Sequence, residues 1–515
     1  LYEDGVRIVF GLPGGEVVEL LDAFRQAGIE FVLVKNESSA VYMADVYARL
    51  TGTIGVVVTT LGPGATNAYA GVAHAYLDRA PVLVISAQTD PQLVGTHTHQ
   101  VLDLQACFRP ITKFTTELET ESAPETILYA LSQLKSGKPG PVHIGMSDRV
   151  ARSEVHAGTQ QNLVSPDMDL SKHITSIQDV LIKSERPVIV VGLGLESEQP
   201  YHELQALAEA LQSPVIDTPK SKGAIAARHP LFVGTIGLTR NDPAYEVLDQ
   251  ADCIIAVGFD VVELVKPWSQ AVPLIWIASW QNHDPHIAAN YEYVGEIKPL
   301  LGALADRVES HTHTEWGESV VADYRSKLEQ NPLSQASEGC ISPQDTLQVI
   351  RACTPDDVLI TTDVGSHKIF TALNWQAQTP NRYFVSNGLS AMGFGVPAAI
   401  AAAIVTKQPT VCITGDAGFG MIMGELLLAV DYDLPIIIVV MNDRALDLIR
   451  SAQQRRDKPA YGTTFTNPDY AFIAQGYGFQ YYRVDSKLSC ENAIQTALRD
   501  RKPCLMDVQI DPSGY

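Results

Sequence analysis

Two oxygen-bearing side chains, Asp416 and Asn442, stand at the ends of successive apolar segments of this sequence. Asp416 lies in a glycine-rich turn after the apolar run 410–414, and Asn442 directly follows the run 434–441. Carboxyl ends of parallel strands meet at one edge of a sheet, so we expect these side chains to come together there. A carboxylate, an amide oxygen, a main-chain carbonyl and diphosphate oxygens would form an octahedral Mg²⁺ site. Either residue alone would more simply be a turn or capping residue, and it is the pair that favours a metal.

The residues around Asp416 also favour phosphate binding. The stretch 415–420 reads Gly-Asp-Ala-Gly-Phe-Gly, and an amphipathic segment that predicts a helix begins at residue 420. Glycines allow the backbone to approach a ligand closely, and the N–H groups at a helix N-terminus attract phosphate. The sequence therefore predicts a diphosphate site at this turn.

Composition excludes several classes of function. The 515 residues are too many for one core, and about three domains are expected. A hydrophobic fraction of 46% and a charged fraction of 19% are typical of a globular protein. The formal net charge of −22 argues against nucleic acid or an anionic membrane surface as a partner. No apolar run of the sequence approaches the length of a membrane span.

The cysteines and the first residues bear on the compartment. The seven cysteines are scattered and form no Cys-x-x-Cys pair, so we expect small core residues of a protein in the reducing cytoplasm. The sequence begins at Leu1 without a visible signal peptide, and we expect the true N-terminus to lie upstream.

Short β-branched runs alternate with helical patterns along the chain, which predicts an α/β protein with three doubly wound parallel-sheet domains. Four strand-like runs are visible in each domain, and polar stretches at 151–171 and 326–345 are typical of linkers. We place the domains at residues 1–150, 165–325 and 340–515. The first and third domains share an outline of strand, glycine-rich turn and helix.

Residues 415–442 resemble the diphosphate-binding motif of thiamine diphosphate (ThDP) enzymes, which is Gly-Asp-Gly followed further along the chain by Asn. Ala417 stands where the motif usually has its second glycine, and this restricts the backbone of the turn. The resemblance implies ThDP and Mg²⁺ as cofactors, bound by a first, pyrimidine-binding domain and a third, diphosphate-binding domain around a central one. It implies diphosphate contacts for Gly365, Ser366, His367, Gly415, Asp416, Ala417, Gly418 and Asn442, and metal ligation by Asp416, Asn442 and the main-chain oxygen of Arg444.

Glu37 is the first catalytic candidate. It follows a strand-like run and opens a predicted helix, where an acidic residue alone is typical of a first helical turn. In ThDP enzymes a glutamate at this place hydrogen-bonds N1′ of the aminopyrimidine, so that N4′ can remove the C2 proton of the thiazolium. The resemblance gives this role to Glu37. Acetolactate synthases usually carry Arg-His before this residue, whereas this chain has Lys35 and Asn36, and the Asn is more like the pyruvate decarboxylases.

Three further segments, 59–88, 98–114 and 386–404, resemble the same enzymes. The resemblance makes Met392 the bulky residue that keeps ThDP bent, although a lone Met on an apolar helix is more often a core residue. It makes the main-chain oxygen of Ser390 the acceptor for N4′. It further implies cofactor contacts for Gly62, Pro63, Gly64 and Asn67, and an active-site position for the catalytic candidate Gln100.

The reaction is narrowed by the same resemblance. Family members decarboxylate a 2-oxo acid, and the fragment is then protonated by a decarboxylase, added to a second carbonyl by a carboligase, or oxidised by an oxidase. Segments 98–114 and 234–263 resemble catabolic acetolactate synthases, which condense two pyruvates, so we expect such a carboligase. Glu16 stands where those enzymes carry a lysine, which leaves open a decarboxylase, another 2-oxo acid or an aldehyde acceptor. The single Gly-x-Gly at 192–194 is weak evidence for a dinucleotide site, and we expect no required FAD.

The resemblance also implies assembly. We expect a homodimer or homotetramer in which Glu37 of one subunit faces Asp416 of another. A family member without catalytic activity is the second hypothesis, and the retention of Glu37, Asp416 and Asn442 argues against it.

The stretch 452–462 is expected to cover the pocket. Three polar side chains in or just before this stretch either orient a substrate carboxylate in the pocket or form a solvated helical face: Arg450, Gln453 and Gln454.

Overall fold

Three parallel six-stranded sheets, each flanked by helices, make up the protein and confirm the predicted fold class. The computed structural model describes residues 1–90, 93, 96, 99–154, 170–239, 241–265, 268, 271–308, 316–329 and 336–515. Among these residues no helix is long and apolar enough to cross a membrane. The domain limits given above stay a prediction, and most of the first linker (155–169) lies outside the described residues.

The first sheet lies within residues 8–146. Its strands are β1 (Ile8–Leu12), β2 (Glu30–Leu33), β3 (Gly55–Thr59), β4 (Val82–Ala87), β5 (Phe114–Glu117) and β6 (Val142–Met146). Its helices are α1 (Val18–Ala27), α2 (Glu37–Thr51), α3 (Pro63–Leu77), α4 (Leu104–Phe108), α5 (Ala123–Lys135) and α6 (Asp148–Ala151). The strand order is β2-β1-β3-β4-β6-β5, so the winding reverses between β1 and β3. Ligands of such sheets bind outside the carboxyl ends of the strands at this reversal.

The middle sheet lies within residues 187–294. Its strands are β7 (Pro187–Val191), β8 (Val215–Asp217), β9 (Phe232–Thr235), β10 (Cys253–Val257), β11 (Leu274–Ala278) and β12 (Tyr291–Val294). Its helices are α7 (Leu170–Leu181), α8 (Tyr201–Leu211), α9 (Tyr245–Leu248), α10 (Ile297–Val308) and α11 (Trp316–Glu329). The strand order is β12-β11-β10-β7-β8-β9.

The third sheet lies within residues 359–509. Its strands are β13 (Leu359–Thr362), β14 (Tyr383–Val385), β15 (Thr410–Gly415), β16 (Ile436–Asn442), β17 (Gln480–Val484) and β18 (Cys504–Gln509). Its helices are α12 (Pro343–Cys353), α13 (Ser366–Asn374), α14 (Gly395–Thr406), α15 (Asp416–Ile422), α16 (Leu426–Asp431), α17 (Asp447–Gln454), α18 (Tyr470–Tyr477) and α19 (Lys487–Asp500). The order β14-β13-β15-β16-β18-β17 repeats that of the first sheet, and the winding reverses between β13 and β15.

Two local predictions were wrong. The helix expected from residue 420 already begins at Asp416, with Gly415 as its N-cap residue, and a 3₁₀ turn at Met423–Glu425 separates α15 from α16. The stretch 326–345 is not a linker throughout, because α11 extends to Glu329, and residues 330–335 lie outside the described residues.

A helix that is apolar on all sides joins the first and third domains. Residues 395–404 of α14 are all buried, as expected for a helix without a polar face. This helix packs against α2, which begins at Glu37. Nearby, buried His74 hydrogen-bonds Asp45 of the first domain and Ser386 of the third, each at 2.9 Å. The packing fixes the two candidate site regions of one chain relative to each other.

Candidate functional site

The oxygens of Asp416 and Asn442 converge on one hydrogen-bond donor. The Nδ2 atom of Asn467 lies 2.8 Å from Asp416 Oδ2 and 3.0 Å from Asn442 Oδ1. Asn442 Nδ2 donates to Asp507 Oδ1 at 2.8 Å, so its oxygen is left facing Asp416. The two side chains expected at adjacent strand ends are therefore brought together, and Asn467 and Asp507 are partners that the sequence did not reveal.

Burial raises the pKa of Asp416, although hydrogen bonds from Asn467 and from the main-chain N–H of Arg444 oppose the shift. The Arg444 N–H donates to Asp416 Oδ2 at 2.7 Å. The Arg444 carbonyl accepts from Phe465 N at 3.2 Å and keeps a second lone pair. Asp416 Oδ2 and Asn442 Oδ1, which now accept N–H groups, are the oxygens that a cation would bind.

This donor set fits Mg²⁺, which prefers carboxylate, amide and carbonyl oxygens. Two of the three expected ligands already point at a common place, occupied by the partly positive amide of Asn467. Among the described residues, no group of three or more His, Cys, Asp or Glu side chains could hold a metal ion. A metal here would therefore depend on amide and main-chain oxygens and on the ligand's own phosphates.

A cavity of about 240 Å³ lies at the carboxyl ends of β13 and β15. It collects the third-domain residues that were predicted to contact the cofactor, with the exception of Asn442. Its lining includes Gly365, Ser366, His367, Ser390, Met392, Gly415, Asp416, Ala417 and Gly418. Asn442 and Arg444 are not among the lining residues and open instead on a neighbouring cavity that also contains Asn467.

The imidazole of His367 holds two glycine turns at close distance. Its Nε2 accepts a hydrogen bond from Gly415 N at 3.1 Å, and burial lowers the pKa of His367 to about 4, which keeps the ring neutral. A Cβ atom on Gly365 or Gly415 would lie 2.7 or 2.8 Å from the ring carbon Cε1. Only glycine fits at either place, and the backbone there stays open to a phosphate.

Carboxylates line the opposite wall of this cavity. Ser366 Oγ donates to Asp447 Oδ2 at 2.8 Å. Arg450 lies 2.7 Å from Asp447 Oδ1 and 3.4 Å from Asp443 Oδ2. Burial and the neighbouring Asp416 and Asp447 raise the pKa of Asp443 to about 7. Asp443 and Asp447 were not singled out from the sequence.

The three polar side chains proposed near the pocket are engaged elsewhere or lie outside it. The charge of Arg450 is compensated by the carboxylates of Asp443 and Asp447. Gln453 exchanges hydrogen bonds with the backbone of Tyr461 at 2.9 and 3.2 Å. Neither of these residues nor Gln454 lines the cavity. Their contact with a substrate carboxylate stays a prediction.

Glu37 forms the centre of a second group of predicted residues, at the edge of the first sheet. Its side chain is only 3% exposed, and Asn67 Nδ2 donates to its Oε2 at 3.2 Å. A Cβ atom on Gly64 would lie 2.6 Å from Thr60 Cγ2 and 3.3 Å from Glu37 Oε1, so the glycine lets this turn pack close to the carboxyl group. Asn36 caps α2 by accepting from Ser38 N at 2.9 Å. The structure therefore joins Glu37 with Asn67 and the turn before α3.

Gln100 and Glu16 border the same turn. Gly62 has a positive φ of 55°, and a Cβ atom there would lie 2.8 Å from the main-chain oxygen of exposed Gln100. Pro63 follows as the first residue of α3. Glu16 is half-buried and accepts from Thr60 Oγ1 at 2.9 Å. These residues share one edge of the first sheet.

Among the described residues, the two groups do not line the same cavity of one chain. Glu37 is not among the residues that line the cavity at β13 and β15. The two regions nevertheless touch, because buried Glu425, in the 3₁₀ turn after α15, accepts from the N–H groups of Lys35 and Asn36 at 2.9–3.1 Å. Glu37 and the cavity at β13 and β15 are thus treated as two half-sites, because they line no common cavity among the described residues.

The glycine turn of the middle sheet holds one of the protein's own carboxyl groups. Buried Glu263 accepts from Leu193 N at 3.0 Å and from Asp260 N at 3.2 Å. A Cβ atom on Gly192 would lie 2.4 Å from its Oε2. Burial raises the pKa of Glu263 to about 8. The N–H group that a dinucleotide phosphate would use is thus already occupied.

The thiamine pyrophosphate enzyme family matches the chain in three blocks: the N-terminal TPP binding domain at residues 1–107, the central domain at 174–304 and the C-terminal TPP binding domain at 363–508. The protein is a thiamine pyrophosphate enzyme. Thiamine pyrophosphate is ThDP, so the predicted cofactor and family are confirmed. The half-sites around Glu37 and Asp416 fall in the two TPP binding domains.

The relatives of this ThDP enzyme are of the acetolactate synthase type. A probable acetolactate synthase large subunit of Methanocaldococcus jannaschii is 31% identical over all of this chain and 91% of its own. The acetolactate synthase isozyme 3 large subunit of Escherichia coli is 31% identical, with 100% and 94% covered. The acetolactate synthase large subunit of Lactococcus lactis is 30% identical, with 100% and 92% covered. Membership of the catabolic branch stays a prediction.

Proposed function

We propose that this ThDP enzyme is a Mg²⁺-dependent carboligase. It decarboxylates a 2-oxo acid, for which we propose pyruvate, and adds the remaining fragment to a second carbonyl group. The observation that carries the proposal is the convergence of Asp416 and Asn442 oxygens beside a glycine-lined cavity. The relatives named acetolactate synthases support carboligation as the outcome.

Each half-site has a distinct task. Asp416, Asn442 and the Arg444 carbonyl would hold Mg²⁺, and the backbone around Gly365 and Gly415 would face the diphosphate. Bound ThDP supplies an electron sink for the bond-breaking step. Glu37, buried beside Asn67, would exchange a proton with N1′ of the aminopyrimidine. The apolar side chains of Met392 and its neighbours would exclude water, which disfavours a charged carboxylate and so favours loss of carbon dioxide.

The cofactor requirement tests this proposal. Protein dialysed against EDTA should release no carbon dioxide from pyruvate, and activity should return only when ThDP and Mg²⁺ are added together. Release that is independent of either cofactor would contradict the proposed site.

One observation keeps a second candidate function open. Glu16 is anchored by Thr60, so a carboxylate stands at the edge of the first half-site. A carboxylate there would repel a second 2-oxo acid more than it would repel an aldehyde or a proton donor. The alternative is therefore a carboligase with another acceptor or a non-ligating decarboxylase, and the product decides between them.

We further propose that the complete site forms between subunits. The half-sites of one chain line no common cavity among the described residues, and exposed apolar side chains flank both of them, as at a surface that a second copy covers. Those near Glu37 are Leu33, Tyr69 and Leu102, and those near Asp416 are Met421, Leu427, Leu448 and Ile449. A homodimer, alone or paired into a tetramer, fits these surfaces. The relatives are named large subunits, and a second type of subunit would add to this assembly without replacing it.

Mixing two inactive variants tests assembly. Glu37→Gln lacks the first half-site and Asp416→Asn lacks the second. After equal amounts are unfolded together and refolded, random pairing should restore about a quarter of the wild-type sites, because each mixed dimer has one complete site. Sites formed within one chain would give no recovery. Refolded wild-type protein is the control for yield.

We expect no flavin requirement. Glu263 occupies the glycine turn of the middle sheet, and a phosphate there would meet a carboxyl group in place of free N–H groups. The absorption spectrum of the purified protein should therefore show far less than one flavin per chain. Added FAD should leave the rate unchanged. A stoichiometric flavin spectrum would contradict this expectation.

A further inference from the structure

Lys368 is a buried cation beside the proposed cofactor cavity, and none of the roles above uses it. It follows His367 on α13, and its side chain is 5% exposed. Burial of an ammonium group is strongly unfavourable unless other groups compensate its charge. Among the described residues Lys368 forms no ion pair with a carboxylate.

The ammonium group is directed at the cavity wall. Lys368 Nζ donates to Ser390 Oγ at 2.9 Å, and Ser390 Oγ donates to the Asn387 main-chain oxygen at 2.9 Å. Ser390 has a φ of +54°, a left-handed conformation that is unfavourable for serine. Ser390 lines the cavity together with Met392. The lysine thus braces a strained turn that borders the site.

Charges of all three domains surround Lys368. They are Asp78 at the end of α3, Lys220 of the middle domain and Asp363 at the end of β13. Asp78 is engaged with Lys220 at 3.4 Å and with His74 at 2.9 Å. Asp363 accepts the N–H groups of Val364 and Gly393. Both carboxylates are held by other partners, so the hydroxyl of Ser390 is the near contact of the ammonium group.

We propose that Lys368 is a positioning residue of the reaction, which through Ser390 fixes the turn whose main-chain carbonyl meets the aminopyrimidine. The inference rests on the proposed function. The charged form is the stronger donor to Ser390. Burial, and to a lesser degree Lys220, lowers the pKa of Lys368 to about 8, against the opposing effect of Asp78 and Asp363. The brace should therefore be present below about pH 8 and weaken as the pH rises through that value.

The test measures ThDP binding and turnover from pH 6 to 9.5 in the wild type and in Lys368→Gln, Lys368→Arg and Ser390→Ala. Binding of ThDP with Mg²⁺ is followed by quenching of tryptophan fluorescence, independently of turnover. Lys113→Gln is the matched control, because burial also lowers the pKa of Lys113 to about 8 while its Nζ donates to Ser136, away from the cavity.

We expect wild type and Lys113→Gln to lose kcat as the pH rises through about 8. Lys368→Gln and Ser390→Ala should bind ThDP about 10-fold more weakly at pH 7, and Lys368→Gln should lose the alkaline decline. Lys368→Arg should keep its rate to higher pH, since a guanidinium stays charged. Wild-type affinity and pH profile in both Lys368→Gln and Ser390→Ala would overturn the inference. Failure of the wild type to bind ThDP would overturn the proposed function itself.

Discussion

Replacing Glu37 with glutamine is expected to reduce pyruvate turnover roughly 10²–10⁴-fold, the usual contribution of a positioned proton-transfer group. Glutamine has nearly the same shape and can keep the contact with Asn67, so the fold should survive. The amide cannot exchange a proton with N1′ of the aminopyrimidine, which is why the chemistry should fail while ThDP still binds. Steady-state kinetics with pyruvate, together with fluorescence titration of ThDP, separate the two effects.

Glu125→Gln is the matched control for this variant. Glu125 is exposed on α5 of the same domain, away from both half-sites, so its substitution should leave turnover unchanged. If Glu37→Gln turned over pyruvate at the wild-type rate, the assigned role of Glu37 would be wrong. A matching loss in the Glu125 variant would point to a general effect of removing negative charge.

Replacing Asp416 with asparagine should weaken Mg²⁺-dependent ThDP binding at least about 10²-fold, since the proposed carboxylate ligand to the metal is lost. The substitution acts at the site itself, because Asp416 Oδ2 accepts hydrogen bonds from both the Arg444 N–H and the Asn467 amide. An amide at this place can offer one oxygen, and its NH₂ group would oppose a neighbouring donor or the metal. Titration calorimetry with ThDP at saturating Mg²⁺ measures the change directly.

Asp431→Asn serves as the control. Asp431 is exposed at the end of α16, and its substitution removes the same charge from the same domain. It should bind ThDP like the wild type. If the Asp416 variant bound ThDP as tightly as the wild type, both with and without Mg²⁺, the metal would be held elsewhere. Circular dichroism of both variants checks that the comparison is between folded proteins.

The strand ends that carry the site were predictable because they combine two strong local signals. Long β-branched runs such as 434–441 predict buried strands, and glycine or a polar residue at their ends predicts the turn. Asp416 and Asn442 follow from this pattern alone. Gly365 and Gly62 came from the family resemblance.

Asn467 and Asp507 could not be found in this way. Asn467 lies in a Thr-Asn-Pro-Asp stretch that is typical of an ordinary turn. Asp507 sits inside β18, where its pattern gives no sign of a partner. Asp507 reaches the site because β16 and β18 pair side by side, and Asn467 reaches it from the loop before α18; both placements are tertiary properties that local sequence does not encode.

The missed edge strands and the misplaced start of α15 have different causes. Each sheet has two strands beyond the four predicted, among them β12 and β17, which are half-exposed edge strands with a weaker apolar pattern. Glycine disfavours helix interiors, which is why the helix was expected only from residue 420. In the structure Gly418 lies inside α15, where a Cβ atom would come 2.5 Å from Asp363 Oδ2. Close packing, and not a turn, requires that glycine.

Carboligation of pyruvate is measured most directly by a carbon-13 NMR time course of the protein with ThDP, Mg²⁺ and labelled pyruvate. We expect the labelled carbons to appear mainly in acetolactate, and we expect Glu37→Gln and Asp416→Asn to abolish the signal while their controls retain it. Acetaldehyde as the main product would contradict carboligation and favour the decarboxylase that Asn36 and Glu16 leave open. Pyruvate that remains untouched in the presence of both cofactors would contradict pyruvate as the substrate.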